Sequence, residues 1–277
     1  MLHQQVIIIT GASDGIGAAA ARQVHAKGEQ VVLVGRSKAK TAAVAAELRA
    51  PYYLADFADL AQVRTLAAQL LAAYPRIDVL ANNAGGIMGN RELTTDGFEK
   101  TFQVNHLAPF LLTSLLLPTL IANSAKVLQT SSLGARLFGH LDIEDLQNEK
   151  HYSANKAYGD AKLANILFTR ELHRRYHAQG LSAAAFHPGA VATNFASDTT
   201  SIMRFAHRMP TPLKRLVLIT SEKGGATLTW LAEGIPGKTW QSGDYYEKNR
   251  PARTNKQAYD GALARELWER SAAMLSL

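Results

Sequence analysis

The stretch HYSANKAYGDAK, residues 151–162, places a tyrosine four residues ahead of a lysine twice. Tyr152 precedes Lys156, and Tyr158 precedes Lys162. Inside a helix that spacing puts both side chains on one face. A free phenol has a pKa of about 10 and exchanges protons poorly at neutral pH. A neighbouring ammonium favours the phenolate and lowers that value. Either pair is therefore a candidate proton donor and acceptor. Ser153 suits the N-cap of the helix that follows, which leaves Tyr152 just outside it. The four-residue rule then applies to Tyr158 and Lys162, one to two turns in. LANILFTREL continues a strong helix beyond them, and Gly159 and Ala161 are small, leaving room for a cofactor. The second pair is the expected active one. Tyr152 is expected to pack at the helix entrance or to line a substrate mouth.

A cofactor is suggested at the other end of the chain. TGASDGIG, residues 10–17, follows one apolar run and opens a helical segment. Gly11, Gly15 and Gly17 form G-x-x-x-G-x-G, which permits a tight turn and brings phosphates to backbone N–H groups at a helix N-terminus. Ser13, Asp14 and Ile16 are counted with this turn. The next apolar run ends in VGRSK. An acidic residue there would bind the adenosine ribose hydroxyls and select NAD. Arg36 stands there instead, with Lys38 close by, and a guanidinium suits a 2′-phosphate. NADP(H) is the expected cofactor, with NAD(H) as the lesser alternative. Asp56, with Phe57 beside it, can accept from the adenine amino group or cap a helix. Asn83, Ala84 and Gly85 in NNAGG let the adenosine ribose lie on the backbone, and an Asn there can tie strands together.

These residues need a frame. Apolar runs at 5–10, 30–34, 52–55, 77–81, 126–131 and 181–186 lack polar alternation, as strands buried on both faces do. Helical segments at 16–27, 38–49, 59–73, 97–121 and 153–178 separate them. The alternation predicts an α/β fold: a doubly wound parallel sheet of Rossmann type with helices on both faces, in a single domain over 1–277. Segments 133–152 and 194–222 interrupt the rhythm at the carboxyl ends of strands, where such sheets bind ligands. Both are candidate substrate loops. The second carries an apolar stripe broken by Pro210 and Pro212, which reads equally as a lid or as a cover for the domain edge.

Composition excludes several classes. The chain of 277 residues has no cysteine, so disulfides and thiolate metal sites are absent, and a reducing cytoplasmic location is expected. Its 9 histidines show no HExxH spacing, and no metal site is expected. Net charge is +7, but the basic residues are spread out, and no nucleic-acid partner is expected. MLHQQ leads directly into the first apolar run, with no signal-peptide pattern. The longest apolar run, FLLTSLLLPTLI, is broken by Thr and Pro, and no integral membrane segment is expected.

TGASDGIG, NNAG, VNHLAPF, VLQTSS, YGDAK and HPGAVAT occur in an order that resembles the short-chain dehydrogenases/reductases over nearly the whole chain. Residues 142–172, and GDYYEK at 243–248, resemble the retinol-dehydrogenase-like branch. The resemblance implies that Asn105 holds a water in a proton relay and that Ser132 bonds the reacting oxygen. It implies that Tyr158 and Lys162 are the catalytic pair, with Lys162 also on the nicotinamide ribose. Pro188, Gly189, Val191 and Thr193 match the turn around the nicotinamide carboxamide. Ser132 precedes Tyr158 by 26 residues, longer than in many members, and the excess is the 133–152 insertion. The activity so implied is NADPH-dependent reduction of a lipophilic ketone or aldehyde, reversible to the alcohol. Two other readings stay open: a dinucleotide-sensing regulatory protein, or an epimerase or dehydratase on the same scaffold. A homodimer through the 97–121 and 153–178 helices is also open.

Overall fold

The computed structural model describes residues 4–189 and 220–277. Its strands are β1 (Val6–Thr10), β2 (Gln30–Gly35), β3 (Tyr52–Leu54), β4 (Val79–Asn82), β5 (Lys126–Thr130), β6 (Ser182–His187), β7 (Tyr245–Glu247) and β8 (Arg250–Pro251). They form one sheet in the order β3-β2-β1-β4-β5-β6-β7-β8. Every pairing is parallel except β7 with β8. The expected doubly wound parallel sheet is found, with one short antiparallel strand added at this edge. Lys248 and Asn249 both adopt positive φ, the backbone of a two-residue hairpin turn. Pro251, which has no N–H to offer, ends the sheet there.

The main helices are α1 (Gly15–Ala26), α2 (Lys38–Leu48), α3 (Leu60–Ala73), α4 (Lys100–Phe102), α5 (Ala108–Ala122), α6 (Gly134–Leu137), α7 (Ala154–Tyr176), α8 (Ser221–Glu233) and α9 (Gly261–Met274). One apolar core lies under α3, α5, α7 and α9, and includes Leu66, Leu111, Leu167 and Leu267. The other lies under α1, α2 and α8, and includes Val24, Val44 and Leu228. Both sheet faces are thus covered, which is why β1, β4, β5 and β6 are buried at every position.

The expected helix at 97–121 is divided. Glu99 caps α4 by accepting from Thr101 N and Phe102 N at 2.8 and 2.7 Å. A π turn at Gln103–Leu107 then leads into α5. By length and apolar composition the combined Lys100–Ala122 segment is long enough to cross a bilayer, contrary to the shorter run read from sequence. Here its buried side chains serve the protein core, and Phe110 packs against Phe168 and Trp268. The α8 and α9 helices are additions to the expected set. Through Trp268 the α9 helix covers the Phe110 and Phe168 region of α5 and α7, two helices left open above as a dimer face.

Candidate active site

The glycine turn is shaped by close approaches. Gly11 has φ +66, and a Cβ there would lie 2.9 Å from Ala84 Cα. A Cβ on Gly17 would lie 2.7 Å from Asn83 Nδ2, so Gly17 lets α1 seat against the turn. Asp14 N-caps α1, accepting from Gly15 N at 2.8 Å, and pairs with Lys40 at 2.9 Å. Thr10 organises the facing loop: its hydroxyl donates to Ala81 O and accepts from Asn83 N and Ala84 N. Asn83 donates to Thr10 O at 3.1 Å and accepts from Thr130 Oγ1 at 3.1 Å. It ties together the ends of β1, β4 and β5.

At the other end, β5 delivers Ser131 and Ser132. Ser131 Oγ donates to Lys162 O at 2.7 Å, and the Ser132 hydroxyl hydrogen-bonds the Tyr158 phenol. Gly134 lies against Tyr158, where a Cβ would be 3.1 Å from two ring carbons. Lys162 Nζ donates to Thr130 O at 3.0 Å and stands 5.6 Å from the centre of the Tyr158 ring. The expected lowering of the phenol pKa is not what the protein alone produces. Burial pushes Tyr158 above its ordinary value, and burial pushes Lys162 down to about 7. Both groups are out of water, so the cost of charging each outweighs their mutual attraction.

The opening pair of tyrosines is resolved by Ser153. Its side chain caps α7 by accepting from Lys156 N, so Tyr152 lies outside the helix. Tyr152 is half-buried and donates to Gly89 O at 3.2 Å. Lys156 turns to Asp160 and to Asn148 Oδ1, each at 2.5 Å. The two residues of this first pair have separate partners. Gly159, read as room for a cofactor, instead admits the 134–139 backbone: a Cβ there would lie 2.7 Å from Gly139 N.

Asn105 sits in the π turn. Its Nδ2 donates to Gly86 O at 2.9 Å and Thr101 O at 2.8 Å, and its Oδ1 accepts from Gly86 N at 3.1 Å. Both amide protons thus go to protein carbonyls. Its visible work is to fix the Gly85–Gly86 backbone, where a Cβ on Gly85 would lie 3.0 Å from Lys162 Nζ.

A cleft of about 350 Å³ runs along the carboxyl ends of the strands and joins these parts. Gly11, Ser13, Asp14, Gly15 and Ile16 line its turn, and Arg36, Asp56 and Phe57 line one end. Asn83, Ala84 and Gly85 form its middle, and Ser132, Tyr158, Lys162, Pro188 and Gly189 its other end. Asp56 Oδ1 accepts from Ala58 N, and the N-cap of α3 is Asp59. Gly17, Lys38 and Asn105 are not among the lining residues. Val191, Thr193 and most of the 194–222 segment lie outside the described residues. Sequence reading passed over Thr10, Thr130, Ser131 and His187. All four stand inside quoted motifs, but as the less conspicuous members.

A family model for short chain dehydrogenases matches residues 5–203. The chain belongs to that family. It is 41% identical over 279 residues to a Streptomyces protein provisionally named daunorubicin C-13 ketoreductase, covering 98% of this chain and 93% of that one. It is 34% identical over 300 residues to mouse retinol dehydrogenase 14, covering 100% and 87%. A crystal structure of an uncharacterized Mycobacterium paratuberculosis protein matches with TM-score 0.76 at 32% identity, covering 99% and 94%. As a short-chain dehydrogenase the protein is an NAD(P)-dependent oxidoreductase. The cleft fits such a cofactor. Gly11 and Gly15 give a positive-φ turn at a helix N-terminus suited to phosphate, and Gly85 keeps the backbone open beside Lys162.

Proposed function

We propose that this short-chain dehydrogenase reduces a lipophilic ketone or aldehyde with NADPH. The observation that carries the reading is one cleft with Arg36 at one end and the hydrogen-bonded Ser132–Tyr158 pair, backed by Lys162, at the other. No acidic side chain takes the place of Arg36 at the end of β2, where one would repel a 2′-phosphate. NADPH, when bound, supplies the hydride. Ser132 orients the carbonyl oxygen and stabilises the charge that grows on it. Tyr158 gives its proton to that oxygen. Lys162, drawn toward the charged state by an anionic partner, lowers the cost of the resulting phenolate. Asn105 holds the Gly85–Gly86 backbone, where the lack of a side chain at Gly85 leaves room for the Lys162 ammonium.

Substrate class is read from α6, which packs on Tyr158. Leu137 and Phe138 are 59% and 41% exposed on and beside α6, the helix whose Gly134 touches the Tyr158 ring. Exposed apolar residues on the element that packs on a catalytic tyrosine favour an apolar substrate body. The ketoreductase and retinol dehydrogenase relatives are named for substrates of that kind.

Purified protein is assayed with NADPH and, separately, NADH against hydrophobic aldehydes and ketones. The expected result is at least a roughly tenfold preference for NADPH in kcat/KM, lost in Arg36→Leu through a weaker NADPH KM. Equal use of both cofactors by the wild type would overturn the NADPH assignment. Absence of turnover throughout would overturn the reductase reading.

A further inference from the structure

His187 ends β6 immediately before Pro188 and Gly189. It is 5% exposed and lines the cleft at the Tyr158 end. Its Nδ1 accepts two backbone N–H bonds, from Leu133 at 3.2 Å and from Gly189 at 3.4 Å. Leu133 follows Ser132 directly, and Gly189, at φ +96, shapes the turn that closes this end of the cleft. One nitrogen thus joins two segments that approach the reaction centre from different strands. A nitrogen that accepts carries no proton, so the neutral ring has its hydrogen on Nε2.

We infer that His187 is a positioning residue: its unprotonated Nδ1 clamps the Ser132 loop to the Pro188–Gly189 turn, and a second proton on the ring opens the clamp. This rests on the reductase reading for its effect on turnover. An imidazolium donates from both nitrogens and would face two N–H groups with a third. The charged groups around the ring pull in different directions: Glu247 from β7 favours protonation, while Arg136 from α6 and Lys248 beyond β7 oppose it. Tyr158 and Lys162 line the same cleft. Burial is the largest influence and holds the ring below its ordinary value, so the clamp is closed at neutral pH.

Two substitutions separate clamp from packing. His187→Asn places an amide oxygen where Nδ1 accepts and cannot titrate. His187→Leu fills the space with no acceptor. The first readout is kcat against pH. Wild type is expected to lose activity on an acid limb of about tenfold per pH unit below the ordinary imidazole range. His187→Asn is expected to keep kcat within about threefold at pH 7.5 and to lack that limb. His187→Leu is expected to lose about 10- to 100-fold in kcat at pH 7.5, as small misplacements of reacting groups do, and to converge on wild type as the latter falls along its acid limb. The second readout needs no substrate: amide hydrogen exchange of peptides containing Leu133 and Gly189. Exchange is expected about tenfold faster in His187→Leu than in wild type, and restored in His187→Asn. Wild-type exchange in His187→Leu, or the same acid limb in His187→Asn as in wild type, would overturn the clamp. If wild type reduces no carbonyl, the reductase reading is what fails, and exchange still decides the clamp.

Discussion

Burial sets the starting states of Tyr158 and Lys162: the phenol keeps the proton it is to give, while the ammonium that would ease its loss is disfavoured. Burial holds the phenol neutral and pushes the ammonium down to about 7. A lysine whose folded pKa lies below its unfolded value binds fewer protons folded than unfolded between those values. Its penalty to folding is therefore full below about pH 7 and is relieved as pH rises toward the unfolded lysine value. Lys162→Met is expected to abolish reduction and yet raise the melting temperature of the cofactor-free protein at pH 6 by roughly 2–6 °C. Calorimetry checks this, and a lowered melting temperature would contradict it. The residue types and their spacing made the pair legible in the sequence. The direction of their shifts was not, because it depends on burial that only the assembled core creates.

At the scale of elements, the 133–152 insertion is fastened to α7 rather than hung beside it. Asp160 accepts from His140 N at 2.7 Å and pairs with Lys156, which also reaches Asn148. Gly159 lets the 134–139 backbone lie directly on the helix. Gly159→Ala is expected to cost about 1–3 kcal/mol, since Gly139 N and Phe138 C are backbone atoms with little room to move. Urea unfolding measures it, and a neutral substitution would show that the contact relaxes freely. The same region shows what sequence could and could not say. Ser153 as N-cap was readable, because capping is a local property. The Gly159 contact was not, because its partner lies 20 residues away across an irregular loop. The π turn was likewise hidden, since VNHLAPF has ordinary helix periodicity and the turn shows only in the backbone, where Ala108 N donates to Gln103 O five residues back.

At the scale of the whole molecule, two apolar cores sandwich one sheet, and α9 completes the larger. Asp260 caps α9, whose Ala264, Leu267, Trp268 and Ser271 face inward. Trp268 packs edge-on against Phe110 and at a tilt against Phe168 and Tyr176, with Arg175 over its ring. Ser271 Oγ bonds His106 Nε2 at 2.9 Å, next to Asn105. Trp268→Ala is expected to cost about 3–5 kcal/mol in denaturant unfolding. A loss below 1 kcal/mol would place α9 outside the cooperative core. The spacing 264, 267, 268, 271 was a readable helical stripe. The α8 helix was harder to read: SEKGGATLTWLAE carries two glycines and two threonines, poor helix formers. Its glycine has a tertiary reason, for a Cβ on Gly225 would lie 2.8 Å from Ala20 N of α1. The inner strands were legible because burial on both faces leaves unbroken apolar runs. The antiparallel β8 was not, because two exposed residues leave no pattern.

The central claim is that Tyr158, and not Tyr152, moves the proton. It is tested most directly by measuring kcat for NADPH-driven carbonyl reduction in Tyr158→Phe and Tyr152→Phe side by side, with NADPH binding followed in each. The account predicts a loss of about 10²- to 10⁴-fold in Tyr158→Phe with cofactor binding kept, and a change within about threefold in Tyr152→Phe. The reverse pattern, or equal activity in both, would contradict it.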